Sequence, residues 1–374
     1  MVTTYLRRAY STFATHVLDI PPRLMVFLFF LLLLTYPITR PGLTYLYIIT
    51  MANILAIFAA SWDLLVGRTG QMSLGHALFF GSGAYTTAIL YSFFNFSIWV
   101  TIPLSMAICV LIAFIVGLPS LRTKGPYLAL VTLALPLILI GAVLHFKNVT
   151  NGDKPISGLP RFFPSLPMYE AQLADYYFTL LLLAVSAILL YKIAYSRIGM
   201  VMVSILDDEV ASKASGINTT KYKILALAIS ALFASLAGSV SVHLLGTTVQ
   251  HGMLDVTTSF NPIIVTIWGG IGTIYGPLAA AYIVTILNLP GGVLYEIFKW
   301  SSANGLISQQ MVSNESHIHM MVFIIIIILI ILKWPGGLTK FVTNKLKDLS
   351  EEREIEHRGK HIWKTYKKKS QHEE

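Results

Sequence analysis

Residues 260–289 read FNPIIVTIWGGIGTIYGPLAAAYIVTILNL, and the fold depends on whether they cross a membrane once or twice. As one helix the run is longer than the roughly 20 apolar residues a span needs. As two, it is a pair of short segments joined at Gly269-Gly270-Ile271-Gly272 and Gly276-Pro277. Working outward, further apolar runs fall at 24–39, 43–66, 73–94, 98–118, 126–146, 174–195, 222–245 and 318–334. Lysine and arginine decide between the two counts. With ten crossings both ends lie inside, and 22 of the 27 basic residues fall on the cytoplasmic side. Only Arg40, Lys147, Lys154, Arg161 and Lys299 fall outside. Counting 260–289 as one crossing would put the basic tail outside, against the positive-inside rule. The expectation is an all-α integral membrane protein with about ten segments, or nine with a re-entrant pair, and both termini cytoplasmic.

Composition agrees. Of 374 residues 55% are hydrophobic and 12% charged, where a soluble domain carries about 25% charge. A soluble enzyme and a disordered chain are both excluded. The net charge of +9 comes from residues between apolar runs and in the tail, a pattern that anchors helices rather than binding nucleic acid. The single cysteine, Cys109, lies in an apolar run and reads as a small buried hydrophobe. Trp62, Trp99, Trp268, Trp300 and Trp334 sit at or near predicted span ends, where indole prefers the interface. The expected organisation is a cytoplasmic segment 1–23, a membrane domain 24–338 with a long external loop 147–173 and a cytoplasmic loop 196–222, and a charged tail 339–374.

The sequence has no GxxxxGK[ST], HExxH, CxxC or GxSxG, so no phosphate-cradling loop, zinc site or nucleophile elbow of those kinds is encoded. Its histidines are dispersed and no metal site is expected. Few ionisable residues fall within the runs, chiefly Asp63, His76, His145 and His243, and most sit near interfaces, where their cost is lower. There is no chain of buried carboxylates such as a proton pump uses. Two segments are rich in glycine: GRTGQMSLGHALFFGSGAY at 67–85 and TSFNPIIVTIWGGIGTIYGP at 258–277. Gly70, Gly75, Gly81, Gly269, Gly270 and Gly272 either let helices approach closely or let them unwind toward a polar solute. Interrupted segments in both halves suggest inverted halves around a midplane path, with Asn53, Ser73, His76 and Asn261 as candidate path-lining residues.

The third inside loop, SRIGMVMVSILDDEVASKASGINTTKYK from Ser196 to Lys223, predicts a short helix. Asp207, Asp208 and Glu209 suit its positive N-terminus, and Gly216 is a natural stop. Val210, Ala214 and Ile217 share a face at i, i+4 and i+7 spacing, and the small residues Ala211, Ser212, Ala214 and Ser215 leave room for a close partner. A helix too short to span packs against lipid, its own neighbours or another protein.

Read together, GQMSLGHALFFGSGAYT, LRTKGPYLALVTLALP, SRIGMVMVSILDDEVASKASGIN, SFNPIIVTIWGGIGTIYGP and WPGGL resemble the M-type permease subunit of branched-chain amino-acid ABC importers, from about residue 50 to 338. The resemblance implies a second permease, two cytoplasmic ATPase subunits and an external solute-binding protein. ATP and Mg would be held by those ATPases, with no cofactor in this chain. It implies a bacterial inner-membrane location, a permease-like bundle, and a role for Asp207–Gly216 as the coupling helix seated in an ATPase cleft. Glu209, Ala211 and Gly216 match the family's loop pattern, although Gly216 stands one position later than in the wider ABC-importer pattern. Leu135-Pro136-Leu137 and Asn151-Gly152-Asp153-Lys154 depart from the family's usual residues. Urea and small amides are carried by related permeases, which leaves them as alternative solutes. An autonomous ion-coupled transporter is the alternative mechanism, and an intramembrane enzyme built on Asp63 and His76 is a third.

Overall fold

The computed structural model describes residues 21–120, 126–248 and 253–288, with isolated positions at 325, 328, 329, 332, 333 and 337. The expected span at 318–334, the segment 1–23 for all but its last residues, the outer segment after 290, Trp300, Trp334 and the tail 339–374 lie outside the described residues or on their isolated positions. Among the described residues the secondary structure is helical, with one isolated antiparallel bridge, Ser157 to Thr247. The helices are α1 (Pro21–Thr35), α2 (Leu43–Thr69), α3 (Ala77–Phe94), α4 (Ile98–Ser120), α5 (Pro126–His145), α6 (Lys147–Thr150), α7 (Met168–Ala194), α8 (Arg197–Asp207), α9 (Glu209–Ala214), α10 (Thr219–Leu245), α11 (Val256–Gly269) and α12 (Tyr275–Asn288). Six of them, α2, α3, α4, α5, α7 and α10, are long and apolar enough to cross a membrane.

The centre is built on α2 and α10. Both are enclosed on most sides, α2 by α7, α10, α11 and α12, and α10 by α2, α3 and α4. The α10 face is lined with Ala231, Ala234, Ala237, Gly238 and Ser239, and small residues let membrane helices approach backbone to backbone. A Cβ on Gly238 would lie 1.9 Å from the Phe80 carbonyl oxygen, and one on Gly83 would lie 2.5 Å from that of Ser235. The outer faces of α4 and α5 are apolar and exposed, as lipid-facing surfaces are.

Hydrogen bonds sort the connections into two ends. At one, Tyr176 Oη donates to the Leu33 carbonyl, Leu159 N–H donates to Gly246 O at 3.1 Å, and Thr248 N–H donates to Ile156 O at 3.0 Å. At the other, the end of α2 meets Leu206, Tyr195 and the turn between α11 and α12. The run 260–289 is therefore two short helices of 14 residues each. Thr248 stands at the first end and Gly272 at the second, so the chain between them passes from one end of the bundle to the other. At 1.5 Å per residue α11 covers only about 21 Å of that path, and Asp255 caps its start through the Thr257 N–H.

Several boundaries differ from the apolar runs. The third span starts at Ala77 rather than 73, because α2 ends on Gly70 at φ 68° and residues 70–76 form a non-helical link. Helix α7 starts at Met168 rather than 174, so the loop expected over 147–173 ends at Pro167. Trp62 and Trp268 are buried rather than at an interface. The Trp62 indole N–H reaches the Ser73 carbonyl at 2.8 Å and fixes the link. Trp99 is exposed.

Candidate functional site

The loop singled out by the sequence forms two helices, not one. Ser196 caps α8. The chain then breaks at Asp208, whose backbone is extended, with φ −155° and ψ 106°. Asp208 is the N-cap of α9: its Oδ1 accepts from Val210 N–H at 2.8 Å and Ala211 N–H at 3.0 Å. This satisfies two of the orphan donors of a helix start. Asp207 accordingly ends α8 instead of starting α9. At the other end Gly216 N–H donates to Lys213 O and Ile217 N–H to Ser212 O, at 3.0 and 3.1 Å, with Gly216 at φ 82°. This double closure needs a left-handed residue, which glycine supplies without strain.

Two contacts hold α9 in place. Ser212, expected to face a partner, instead turns inward and is the buried residue of α9, and its Oγ donates to Ser204 O of α8 at 2.9 Å. Glu209 binds Lys213 of its own helix at 2.9 Å, Lys223 of α10 at 2.8 Å and the Thr219 hydroxyl at 3.2 Å. Partial burial raises the Glu209 carboxyl, but its hydrogen bonds to Lys223 and Lys213 and their charges outweigh burial and bring it down to about 2. Glu209 is thus engaged within the chain. The outward face is Asp207, Asp208, Val210, Ala211, Ala214 and Gly216, with the Val210 side chain 73% exposed. An apolar side chain that open, on a helix fixed from behind, forms a small knob on the surface of the chain.

The candidate path residues do not form one surface. Asn53 is fully buried between α7 and α12, donating to Thr179 Oγ1 at 2.9 Å and accepting from the Tyr282 hydroxyl. Ser73 is buried and holds Trp62. His76 is fully buried, with Nε2 3.2 Å from Ser61 Oγ and 3.1 Å from Ser230 Oγ. Ser61 donates to Phe58 O and Ser230 to Ser61 O. Both hydroxyl protons are committed, so Nε2–H is the donor to both and Nδ1 is the bare acceptor. Asn261, by contrast, is exposed on α11. Three of the four are therefore internal ties in this conformation, and one opens onto the surface of the chain.

The glycines of the two interrupted segments pack against each other or their neighbours. A Cβ on Gly75 would lie 1.8 Å from Thr132 O of α5, and one on Gly81 would lie 2.0 Å from Leu254 Cδ2. Gly70 meets Leu206, Gly269 meets Gly276, Gly270 meets Gly337, and Gly272 meets Gly67. Asp63, whose partners no sequence pattern marks, accepts from Gly272 N–H at 2.6 Å and Ile274 N–H at 2.8 Å, one on each oxygen. With Asp63 and His76 each bound to other groups, they do not form a catalytic pair. Among the described residues there is no cluster of His, Cys, Asp or Glu fit to hold a metal ion. Cys109 is buried, with Sγ 3.4 Å from the Phe79 carbonyl.

At the end of the bundle that carries Gly246 and Thr248, the loop before α7 is pinned to the bundle. Arg161 donates to Gln172 Oε1 at 2.7 Å and pairs with the buried Asp175 at 3.2 Å. His243 Nδ1–H donates to Pro160 O at 3.0 Å. No sequence pattern signals these ties, since each joins residues from different elements.

Comparison with known proteins agrees with the helical architecture. Residues 44–332 match the family described as branched-chain amino acid transport system / permease component. The high-affinity branched-chain amino acid transport system permease protein LivM of Salmonella typhimurium is 27% identical over 264 residues, covering 64% of this chain and 61% of the relative. LivM of Escherichia coli is 25% identical over 262 residues, with the same coverage of each chain, 64% and 61%. The chain thus spans about three-fifths of the length of the curated relatives it matches. No solved structure gives a significant match. The family is one of transport components rather than enzymes, and this multi-pass membrane chain belongs to the branched-chain amino acid transport system permease family.

Proposed function

We propose that this chain is a transmembrane permease subunit of an ATP-driven importer for branched-chain or other hydrophobic amino acids in a bacterial inner membrane. Its partners are a second permease, two ATPase subunits that hold ATP and Mg, and an external solute-binding protein. The observation that carries this reading is α9: a short helix fixed from behind by Glu209 and Ser212, with Val210, Ala211 and Ala214 facing out. Such a knob fits a cleft in an ATPase, and Glu209 ties it to α10, a helix of the bundle centre. The end of the bundle that carries Arg68 and this loop is cytoplasmic, and the end that carries residues 151–167 is external, as the lysine and arginine bias favours. Ten crossings put both termini in the cytoplasm. The solute path runs where Asn261 opens, against the second permease, and ATP-driven movement of α9 opens and closes it. Uptake of labelled leucine into vesicles holding the whole complex tests this. Uptake that needs ATP and is competed by isoleucine and valine is expected. Uptake driven by an ion gradient without ATP, or competed only by urea, would overturn it.

A further inference from the structure

Three separate pieces of the chain rest on one end of α2. Arg68 lies over the Tyr195 ring, 4.6 Å from its centroid, just before α8 begins. A Cβ on Gly70 would sit 2.8 Å from Leu206 Cδ1, just before α8 ends. Both ends of α8, and with it the loop that carries α9, are therefore seated on the last turns of α2. On the same turns lies the connection between α11 and α12. A Cβ on Gly67 would be 2.4 Å from Gly272 Cα, and both Asp63 oxygens accept N–H groups of that connection. Gly337, from the WPGGL stretch, also lies against it, at Gly270.

The connection itself is strained. Gly270 is at φ 106°, Gly272 at φ 81° and Ile274 at φ 60°. A β-branched residue in the left-handed region is an outlier, and such a conformation persists only where its surroundings hold it. Here the Ile274 N–H is one of the two that Asp63 captures. We propose that Asp63 is a positioning residue for transport: its carboxylate latches the α11–α12 turn to the end of α2 on which the coupling loop rests, so that hairpin and loop move as one body. This rests on the reading of α9 as the ATPase-facing element. The hairpin carries the open Asn261, so the latch links the ATPase side to the one path candidate that faces outward.

The test is amide hydrogen exchange on the complete complex, for the unmodified chain and for Asp63→Asn. An amide nitrogen cannot accept a hydrogen bond, so one of the two N–H groups loses its partner in a side chain of the same shape. Exchange across 270–275 is expected to rise about tenfold, the equivalent of one lost bond to a charged group. ATP is expected to change exchange at 204–212 and 270–275 together in the unmodified complex. In Asp63→Asn only 204–212 should respond, with ATPase still bound and uptake lost. Unchanged exchange at the turn, or an ATP response there that survives the substitution, would overturn the proposal. If Asp63→Asn fails to accumulate, the unmodified chain still decides: Gly272 and Ile274 amides must be protected, and exchange at the solvent rate would overturn it. If no ATPase accompanies either preparation, the reading of α9 fails, while the exchange comparison still reports whether Asp63 holds the turn.

Discussion

At Glu209 one carboxylate faces Lys213 on its own helix and Lys223 on α10. Its folded-state pKa lies below the ordinary 4.5, at about 2. The sign follows: the clamp is at full strength above about pH 4.5 and is lost as pH falls toward 2. Limited proteolysis of the loop in nanodiscs is expected to stay slow from neutral pH down to about pH 4.5 and to accelerate below it. Glu209→Lys places a third cation beside Lys213 and Lys223, and is expected to free α9 at neutral pH; the same proteolysis measures it, and a loop as resistant as the unmodified one would contradict the clamp. The sequence marked Glu209 as a helix-start acid and matched it to the family loop. Lys213 stands at i+4 on its own helix, but the partners at 219 and 223 depend on how α9 folds back on α10. Asp63 was legible only as an ionisable residue near a span end. Its two partners lie 209 and 211 positions along the chain, and both are backbone groups, which leave no trace in side-chain pattern.

Among the elements, the pair α8–α9 shows where pattern reading stops. Asp207, Asp208 and Glu209 are three acids in a row, each suited to a helix start, and periodicity could not choose among them. The choice is made by hydrogen bonding, since Asp208 alone reaches the Val210 and Ala211 N–H groups. Asp208→Ala removes that cap at a cost of about 1 kcal/mol, and faster amide exchange at 210–212 with the spans unaffected is the expected readout. The hairpin was legible as two segments from Gly269 to Pro277, yet its packing was not. Gly67→Ala drives a methyl into Gly272 backbone, and overpacking of this kind costs about 1–3 kcal/mol. A lower melting temperature in detergent is expected, and an unchanged one would contradict the close contact.

Over the whole molecule, the apolar runs foretold the six long helices among the described residues to within six residues at each end, because about 20 apolar residues are what a bilayer demands. They could not foretell that α2 and α10 would form the centre, which follows from small residues and interhelix hydrogen bonds. Nor could they separate the buried Asn53 and His76 from the open Asn261, since burial is set by neighbours distant in sequence. The two ends of the bundle give a sidedness prediction. Cys109 is buried, so new cysteines report against a low background. Ser157→Cys, in the loop pinned by Arg161 and His243, should react with an impermeant maleimide added to intact cells, and Ser215→Cys only after the membrane is opened. The most direct test of the central claim turns on Val210, which is 73% exposed and whose replacement leaves the core packing untouched. The chain is purified in mild detergent from its native membrane, unmodified and as Val210→Glu, and ATPase activity is measured in each eluate. Activity is expected with the unmodified chain, and its loss, with the chain still folded, in Val210→Glu. Equal activity in both, or none in either, would contradict the assignment of α9 as the seat of an ATPase.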